Sequence, residues 1–156
     1  MTDIRFRNGG VELLDAIEPL WRALCEHHAT INPDFAAFFR QRPFAARKRA
    51  MLDRRPAALL VRLALADESA VGYCVAALGT DGIGEIDSIY VASAHRSRGL
   101  GESLLRHALR WLDAQGAASV TVAVVPGNDR ALAWYGRFGF APRLTTLTRP
   151  ADRAGP

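Results

Sequence analysis

The sequence predicts a single-domain mixed α/β fold, an α+β arrangement in which one mixed sheet is flanked by helices. Two helical regions with apolar side chains at three- and four-residue steps precede residue 57, and apolar runs typical of strands begin there. A long amphipathic helix, a β-branched run and a shorter helix follow. The predicted order is two helices, three strands, helix, strand, helix and strand, which is typical of a layered α/β sandwich. With 156 residues, 49% of them hydrophobic, the chain is long enough for one such core.

The N-terminal part predicts two helical regions. The first has one apolar face, formed by Leu13, Leu14, Ile17, Leu20, Trp21, Leu24 and His28. Pro19 either kinks this helix or begins it. The second region follows a turn at residues 30–34 and is rich in phenylalanine and arginine. We expect Pro43 to divide this second region into two pieces.

The remainder of the chain predicts the sheet and its covering helices. Apolar runs at residues 59–66 and 70–78, joined by a polar turn, predict a β-hairpin, and a third strand is expected at about residues 84–92. Residues 99–115 predict a helix that Gly116 ends. We expect a strand covered on both faces at residues 120–125, a short helix at 128–138 and a last strand at 145–148. One domain is predicted over residues 1–149, with a disordered tail at 150–156.

Composition and charge exclude several classes of protein. The formal charge of +4 comes from arginines scattered between carboxylates, which argues against a nucleic-acid-binding tail and favours a small ligand with several phosphates. Cys25 and Cys74 match no metal-binding or redox spacing, and no His or Cys grouping predicts a metal site. No run approaches the roughly 20 apolar residues of a membrane span, and the N-terminus lacks the pattern of a signal peptide. We therefore expect a cytoplasmic protein with no metal, membrane or nucleic-acid partner.

The most informative segment is the junction between the third strand and the long helix, Arg96-Ser97-Arg98-Gly99-Leu100-Gly101. Free N–H groups and the dipole at a helix start attract an anion, and glycines let a phosphate approach closely. The loop lacks the Lys-Ser/Thr ending of an ATPase phosphate loop, and it lacks the third glycine and downstream acid of a dinucleotide fold. ATP and NAD are therefore not favoured as ligands.

This junction resembles the acetyl-CoA motif of the GNAT superfamily of N-acetyltransferases, Arg/Gln-x-x-Gly-x-Gly/Ala. The match continues downstream in the order typical of that family, with Asn128 after the next strand, Ala131, Tyr135 and then Gly139-Phe140. The resemblance covers roughly residues 57–143. It implies a mostly antiparallel sheet, splayed at the cofactor site and flanked by helices, with acetyl-CoA as co-substrate.

By this resemblance, the diphosphate of CoA lies on backbone amides at the start of the long helix, and the pantetheine arm pairs with the third strand. Asn128 is expected to hydrogen-bond the same arm. The implied cofactor-binding residues are Ile89, Tyr90, Val91, Arg96, Ser97, Arg98, Gly99, Leu100, Gly101, Glu102, Ser103, Asn128 and Tyr135.

Tyr135 is the expected general acid, because the CoA thiolate that leaves during acyl transfer needs a proton. With reference pKa values of about 10 for tyrosine and about 8.5 for a thiol, the transfer is uphill by roughly 2 kcal/mol in water, which local dipoles can offset. The alternative for Tyr135 is simple packing beside Trp134 and Phe138.

Glu85 and Asp87 are the candidate general bases for removing a proton from the acceptor amine. They stand two apart on one strand and so face the same way, and close carboxylates raise each other's pKa. In some family members a Glu at the spacing of Glu85 serves as the base, whereas others use water. Both acids could instead line a solvated face. By the same resemblance, His27, His28 and Phe35, near the connection between the first two helices, are candidates for contact with the acceptor.

The predicted activity is direct transfer of an acetyl group from acetyl-CoA to a primary amine, with a strand amide near Ile89 or Val91 holding the oxyanion. A non-catalytic acyl-CoA sensor is the first alternative, and a basic nucleic-acid-binding domain using residues 40–55 is the second. The acceptor, a small molecule or a peptide amine, is not identified, although the basic residues 40–55 favour one that also bears a negative group. Related enzymes often pair through their sheets, so a homodimer is expected to be possible.

Overall fold

The computed structural model describes residues 2–150, and the predicted tail lies outside this range from residue 151 onward. The strands are β1 (Ile4–Gly9), β2 (Ala58–Ala66), β3 (Ser69–Leu78), β4 (Ile83–Val91) and β5 (Ser119–Val122). The α-helices are α1 (Glu18–Ile31), α2 (Ala36–Gln41), α3 (Phe44–Asp53), α4 (Leu100–Ala114) and α5 (Asp129–Gly136), and a 3-10 turn at Val11–Ile17 precedes α1. None of the helices within residues 2–150 is both long and apolar enough to cross a bilayer.

The strands form one sheet in the order β1-β2-β3-β4-β5. β1 to β4 are antiparallel neighbours. Short turns join β2 to β3 and β3 to β4, whereas the N-terminal helices lie between β1 and β2 in the chain. β5 returns parallel to β4, because α4 carries the chain back across the sheet before β5 begins. The predicted mixed, mostly antiparallel sheet flanked by helices is therefore confirmed.

Each face of the sheet has its own apolar core. On one face α4 and Tyr135 of α5 pack on β2, β3 and β4, with Leu104, Leu105, Ala108 and Leu112 fully buried. On the other face α1, α3 and the 3-10 turn pack on the same strands around Trp21, Phe44 and Tyr73. Alternating side chains of a strand point to opposite faces, so β3 contributes Cys74 to the first core and Tyr73 and Val75 to the second.

A β-bulge changes this alternation within β4. Ser88 pairs with Val75 and Ile86 with Ala76, which leaves Asp87 as an extra residue without a partner on β3. Ile86 and Ile89 consequently pack on the α4 face although they are three positions apart. The bulge turns the middle of β4, and bulges are frequent next to active sites for this reason.

The two prolines behave as the sequence predicts. Pro19 lies in the first turn of α1, where its missing N–H costs no hydrogen bond, so it begins the helix rather than kinking it. Pro43 separates α2 from α3. Gly116 follows α4 with φ of +82°, the left-handed conformation that ends many helices.

Three expectations about strands were wrong. β1 was not predicted, because it is an edge strand whose charged side chains give no apolar run. Residues 145–148 form no strand: their β-branched side chains have no neighbouring strand, and Leu144 and Leu147 are 81% and 90% exposed. The run at residues 120–125 forms the short strand β5, which is half-buried rather than covered on both faces because it lies at the edge of the sheet.

Candidate active site

An opening between β4 and β5 lies at the centre of the candidate site. The two strands pair from Ile83 with Ser119 to Ile86 with Val122, and β5 then ends. From Asp87 to Val91, β4 has no strand partner on that side among residues 2–150. An unpaired edge offers main-chain hydrogen-bonding groups to an extended ligand. The predicted splay of the sheet is therefore present where the strand runs toward the basic loop.

That loop has the conformation of an anion-binding turn. Ser97 and Gly99 both have positive φ angles, +62° and +74°. Gly99 caps α4 without any side-chain hydrogen bond to the helix, so no side chain within residues 2–150 occupies the N–H groups of its first turn. The Ser103 amide is the exception, since it donates to the Gly99 carbonyl at 3.0 Å. Of the predicted phosphate contacts, Ser103 therefore has only its hydroxyl to offer.

The charged groups around this loop fall into two kinds. Nε of Arg96 donates to the Val91 carbonyl at 2.9 Å, and its guanidinium lies 5.1 Å from the centroid of the Tyr90 ring. Arg96 thus ties the loop to the end of β4. Arg98 is exposed and has no ion pair within the described residues, which leaves its charge available to a ligand.

Glu102, in the first turn of α4, is kept from repelling an anion by two arginines. It bonds Arg106 at 2.8 Å and Arg137 at 3.3 Å, and these contacts lower the pKa of its carboxyl. Gly101 keeps the space above the turn free. A Cβ added there would lie 3.5 Å from the Trp134 ring, in ordinary contact, and any longer side chain would extend into the space in front of the helix.

Asn128 caps α5. Its Oδ1 accepts the Ala131 N–H at 3.1 Å, which explains the three-residue spacing between these two residues. The Nδ2 group has no hydrogen-bond partner within residues 2–150 and is free to donate. The structure therefore gives Asn128 a capping role and leaves the predicted contact with the pantetheine arm as a prediction.

Tyr135 lies on the α4 face, 8% exposed, with its ring 5.0 Å from that of Trp134 and 5.5 Å from that of Phe140. Burial, and to a lesser degree Cys74, raises the pKa of its hydroxyl. The hydroxyl has no hydrogen-bond partner in the described part of the chain. The predicted packing with aromatic neighbours is present, and it holds the ring in a dry environment.

Glu85 and Asp87 do face the same way, toward α3, as the sequence predicts. Arg54 bridges them, with 2.9 Å to Glu85 Oε2 and 3.4 Å to Asp87 Oδ1. Arg47 forms a second ion pair with Asp87 Oδ1. The side chain of Asp87 is completely buried, whereas that of Glu85 is 34% exposed. Glu85 is therefore the acid that a substrate can reach.

A group of unsatisfied polar atoms surrounds the bulge. Asp87 Oδ2, Ser88 Oγ and the Tyr73 hydroxyl are buried, and the geometry of residues 2–150 gives none of them a well-formed hydrogen bond, although Ser88 lies near enough to Tyr73 to act on its hydroxyl. Burial raises the pKa of the Tyr73 hydroxyl. Unpaired buried polar atoms are costly, so their clustering indicates a place for a polar ligand or water. Tyr73 and Ser88 were not predicted as site residues. Ser88 faces α3 because of the bulge in β4, and the spacing of side chains in the sequence does not reveal a bulge.

The three predicted acceptor contacts lie at the end of α1 and after it. His28 packs edge to face on Phe39 at 5.3 Å, and burial, followed by the charge of His27, lowers its pKa to about 4. His27 is exposed, and Phe35 is half-buried. Ile31, at the end of α1, lies against Gly127, since a Cβ built at Gly127 would be 3.2 Å from Ile31 Cγ2. The end of α1 therefore borders the loop that leads to Asn128.

The two cysteines are free and buried, and burial raises the pKa of Cys74 to about 12 and raises that of Cys25. Both are therefore unreactive packing residues. Within residues 2–150 there is no group of three or more His, Cys, Asp or Glu side chains able to hold a metal ion. The expected absence of a metal stays a prediction.

These features fit coenzyme A. A diphosphate needs convergent N–H groups and positive charge, which the first turn of α4 and Arg98 offer. An extended amide-bearing arm needs an open strand edge, which β4 offers after Ile86. Binding of CoA would place its thiol end toward the split between the strands.

Comparisons with known proteins agree with this geometry. A family model described as the acetyltransferase (GNAT) family matches residues 21–140. An uncharacterized N-acetyltransferase, YobR of Bacillus subtilis (strain 168), is 37% identical over 70 residues, which are 42% of this chain and 28% of that protein. The chain thus matches less than a third of the length of this curated relative.

Two solved structures share the fold over nearly the whole chain. The PaiA N-acetyltransferase from Thermoplasma acidophilum, in complex with coenzyme A, has a TM-score of 0.72 at 16% identity and covers 92% of this chain and 93% of its own. The aminoglycoside N-acetyltransferase AAC(6')-Iy, in complex with CoA, has a TM-score of 0.63 at 20% identity, with 97% of each chain covered. At these identities the likeness concerns the fold. Together with the family match over most of its length, it shows that this chain belongs to the acetyltransferase (GNAT) family.

Proposed function

We propose that the protein is an N-acetyltransferase that transfers an acetyl group from acetyl-CoA to a primary amine by direct attack while both substrates are bound. The observation that carries this proposal is the open edge of β4, which leads straight into the turn with free amides at the start of α4. The family match supports the same reaction class. Acetyl-CoA supplies the thioester carbonyl and the leaving thiol.

The binding roles follow from the geometry of the α4 face. The amides of residues 98–102 and the Arg98 guanidinium hold the diphosphate, and the main chain of Ile89, Tyr90 and Val91 pairs with the pantetheine arm. A β4 amide near Ile89 or Val91 stabilises the negative charge that develops on the carbonyl oxygen. Arg96 and Asn128 lie at the two ends of the open edge of β4, and Nδ2 of Asn128 donates to the pantetheine arm.

Glu85 and Tyr135 carry out the proton transfers, as general base and general acid. The acceptor ammonium gives one proton to Glu85, directly or through water, so that its neutral nitrogen can form the new C–N bond as the C–S bond breaks. The nitrogen releases a second proton as the amide forms. The Tyr135 hydroxyl donates a proton to the departing sulfur and is reprotonated from solvent, so the net reaction releases one proton.

The raised pKa of Tyr135 has two consequences for this step. The hydroxyl stays protonated at all working pH values, which a general acid requires. A thiolate formed in the same dry surroundings is also disfavoured, so the difference between the two pKa values, rather than the value for tyrosine, decides the transfer.

Asp87 is the weaker candidate for the base. Its side chain is completely buried and is paired with Arg47 and Arg54, so an amine has no direct access to it. We propose that Asp87 acts through water or by orienting the arginines, and that Glu85 meets the amine.

Several classes of amine are candidates for the acceptor. Solved relatives named aminoglycoside acetyltransferases, one of them in complex with sisomicin, make an aminoglycoside one candidate. A small amine or the amine of a peptide is another. Buried, unpaired thiols suit a reducing cytoplasm, which is the proposed location, and a homodimer remains a proposal.

A non-catalytic acyl-CoA sensor would need only the α4 face. The presence of a candidate acid, Tyr135, and of a candidate base that is 34% exposed, Glu85, favours an enzyme. The two functions differ in one observable: a sensor binds CoA without releasing its thiol, whereas the enzyme releases thiol from acetyl-CoA when an amine is added.

Tyr135→Phe tests the proton-donor role. Loss of the hydroxyl should lower kcat by about 100-fold, because general acid catalysis typically contributes 10²–10⁴-fold. The affinity for CoA should be unchanged, since the hydroxyl makes no contact within the described fold. Thiol release gives kcat, and calorimetry with CoA is the control.

An unchanged kcat in Tyr135→Phe would refute the role assigned to this residue. Absence of thiol release by the unaltered protein with every amine of a broad panel, together with tight CoA binding, would favour the sensor.

A further inference from the structure

The acceptor face carries more positive than negative charge. Two carboxylates of β4, Glu85 and Asp87, face α3. Arg47 of α3 pairs with Asp87, and Arg54, just after α3, pairs with both acids. Arg42, just before α3, is close enough for its charge to act on Arg47 and Asp87. Three guanidinium groups therefore serve two carboxylates.

The inner ion pair is part of the fold. Arg47 and Asp87 have side-chain exposures of 17% and 0%, and their contact joins α3 to the bulge of β4. Separating a buried pair leaves an uncompensated charge, so this pair stays closed when substrate binds. The Arg47–Asp87 pair neutralises the Asp87 charge, so Glu85 is the carboxylate that remains for a substrate.

The outer ion pair is built to open. Arg54 and Glu85 are 2.9 Å apart, with side-chain exposures of 50% and 34%. Exposed pairs of this kind contribute little to stability, so breaking one for a better partner costs little. An ammonium that takes Glu85 would leave the Arg54 guanidinium with only its longer contact to Asp87, at 3.4 Å, and so available to an anion.

Arg42 is a cation without a partner. It is half-buried and has no ion pair within residues 2–150, and its guanidinium carbon lies 5.7 Å from the centroid of the Phe38 ring. Burial, and then the charge of Arg47, lowers its pKa. A partly desolvated guanidinium that is repelled by its neighbour is a favourable place for an anion.

We propose that the acceptor carries an anionic group, carboxylate or phosphate, beside its primary amine, and that the Arg54–Glu85 pair opens to bind the two ends of this molecule. The ammonium replaces Arg54 on Glu85, and the anionic group binds Arg54 and Arg42. In the complex each charged group of the site then has an opposite charge beside it. This inference rests on the proposed transfer to amines and narrows its substrate class.

A polycationic amine is the less favourable acceptor for this face. Its second ammonium would enter beside Arg54 and Arg42, where like charges repel, and it would bring no anion to either guanidinium group. A monoamine without an anionic group would pair with Glu85 but would leave Arg54 with only its 3.4 Å contact to Asp87.

The experiment compares amines that differ only in the second group. Thiol release from acetyl-CoA is measured with an α-amino acid and its carboxamide, with phosphoethanolamine and ethanolamine, and with putrescine. In each pair, we expect kcat/KM for the amine with the anionic group to exceed that of its uncharged counterpart, the amine without this group, by about tenfold or more. This is the contribution of one hydrogen bond to a charged group. Putrescine should be the poorest acceptor. The amino-acid and phosphate pairs show which anion is preferred.

Two variants test the assigned residues. Arg54→Gln and Arg42→Gln should each lower the anionic-to-uncharged ratio of kcat/KM by about tenfold, mostly through KM. Arg54→Gln should also raise kcat/KM for putrescine, because Glu85 then has no arginine partner to be displaced. Arg49→Gln is the matched control: Arg49 lies on α3, between the two tested arginines in the chain, is exposed and forms no ion pair with Glu85 or Asp87.

The outcomes separate the two proposals. An active enzyme that prefers putrescine or the uncharged amines, or whose ratio is unchanged in both variants, overturns the substrate class and leaves the transferase intact. No thiol release with any amine counts against the proposed function itself, and the substrate class falls with it. A ratio that falls equally in Arg49→Gln would show a general charge effect and would refute the specific pairing.

Discussion

On the α4 side of the sheet the candidate site is made of backbone, whereas on the α3 side it is made of charged side chains. The proposed cofactor side offers free amides, two left-handed residues and an open strand edge. The proposed acceptor side offers Arg47, Arg54, Glu85 and Asp87, joined by ion pairs between distant parts of the chain. A ligand common to a whole family can be recognised by backbone geometry, and a ligand that differs between members must be recognised by side chains.

The strongest way to break the cofactor side alone is Gly101→Glu. The new carboxylate would extend into the space in front of α4, where like charge opposing a diphosphate costs several kcal/mol, so the affinity for CoA should fall by about 1,000-fold. The Cβ itself meets Trp134 at an ordinary 3.5 Å, so the fold should persist. Calorimetry with CoA measures the loss.

Ala114→Glu is the control, because it places the same charge on the same helix about 20 Å away. An equal loss of CoA affinity in both variants would mean that net charge, rather than the turn at Gly101, governs binding.

Arg47→Ala breaks the acceptor side. Removal of Arg47 leaves the buried Asp87 carboxylate with only its longer contact to Arg54, at 3.4 Å, and we expect the free energy of unfolding to fall by about 3 kcal/mol. Arg22→Ala, which opens the exposed pair with Glu18, should cost less than about 1 kcal/mol. Urea unfolding compares the two. Similar small losses would show that the Arg47–Asp87 pair is not a buried structural contact.

Asn128 has two roles that can be separated: its Oδ1 caps α5, and its Nδ2 is proposed to donate to the pantetheine arm. Asn128→Ala should destabilise the protein by about 1 kcal/mol through loss of the α5 cap. Asn128→Ser keeps a capping oxygen but removes the Nδ2 donor. We therefore expect weaker CoA binding in both variants and lower stability only in the first, measured by calorimetry and urea unfolding. Full CoA affinity in Asn128→Ser would remove this residue from the cofactor site.

The smallest expected effect concerns the pH dependence of stability on the acceptor side. Above pH 6.5 His28 is neutral in both the folded and the unfolded chain. As pH falls from 6.5 toward 4, the unfolded chain takes up the proton first, because the folded pKa is about 4. Stability should therefore fall in this window, by about 1 kcal/mol once the remaining exposure is discounted.

Urea unfolding at pH 7 and pH 5 tests this for the original protein and for His28→Gln, which lacks the titrating group. The same pH dependence in both proteins would show that His28 is not kept neutral by burial.

The sequence predicted the parts of the fold that depend on neighbours in the chain. The helix after Gly99, the hairpin of β2 and β3 and the break at Pro43 follow from local spacing and local geometry, and all three are confirmed. β1 was missed because an edge strand with charged side chains has no apolar pattern. The strand expected at residues 145–148 was wrong because β propensity without a neighbouring strand does not make a strand.

The same division applies to the site. The turn from Arg96 to Gly101 is contiguous, so its residues could be named from the motif. The shared direction of Glu85 and Asp87 followed from strand periodicity, but their arginine partners lie more than 30 positions away and no pattern links them. The orientation of Ser88 depends on the bulge, which only the pairing of β3 with β4 reveals.

Calorimetric titration of the purified protein with CoA, and with phosphopantetheine and pantetheine as a pair that differs only in one phosphate group, tests the anion-binding turn most directly. We expect saturable binding of CoA below millimolar concentration and an affinity for pantetheine about 100-fold lower than that for phosphopantetheine, the contribution of one or two charge-assisted hydrogen bonds. No heat with millimolar CoA, or equal affinity for phosphopantetheine and pantetheine, would contradict the assignment of the turn at the start of α4 as the diphosphate site.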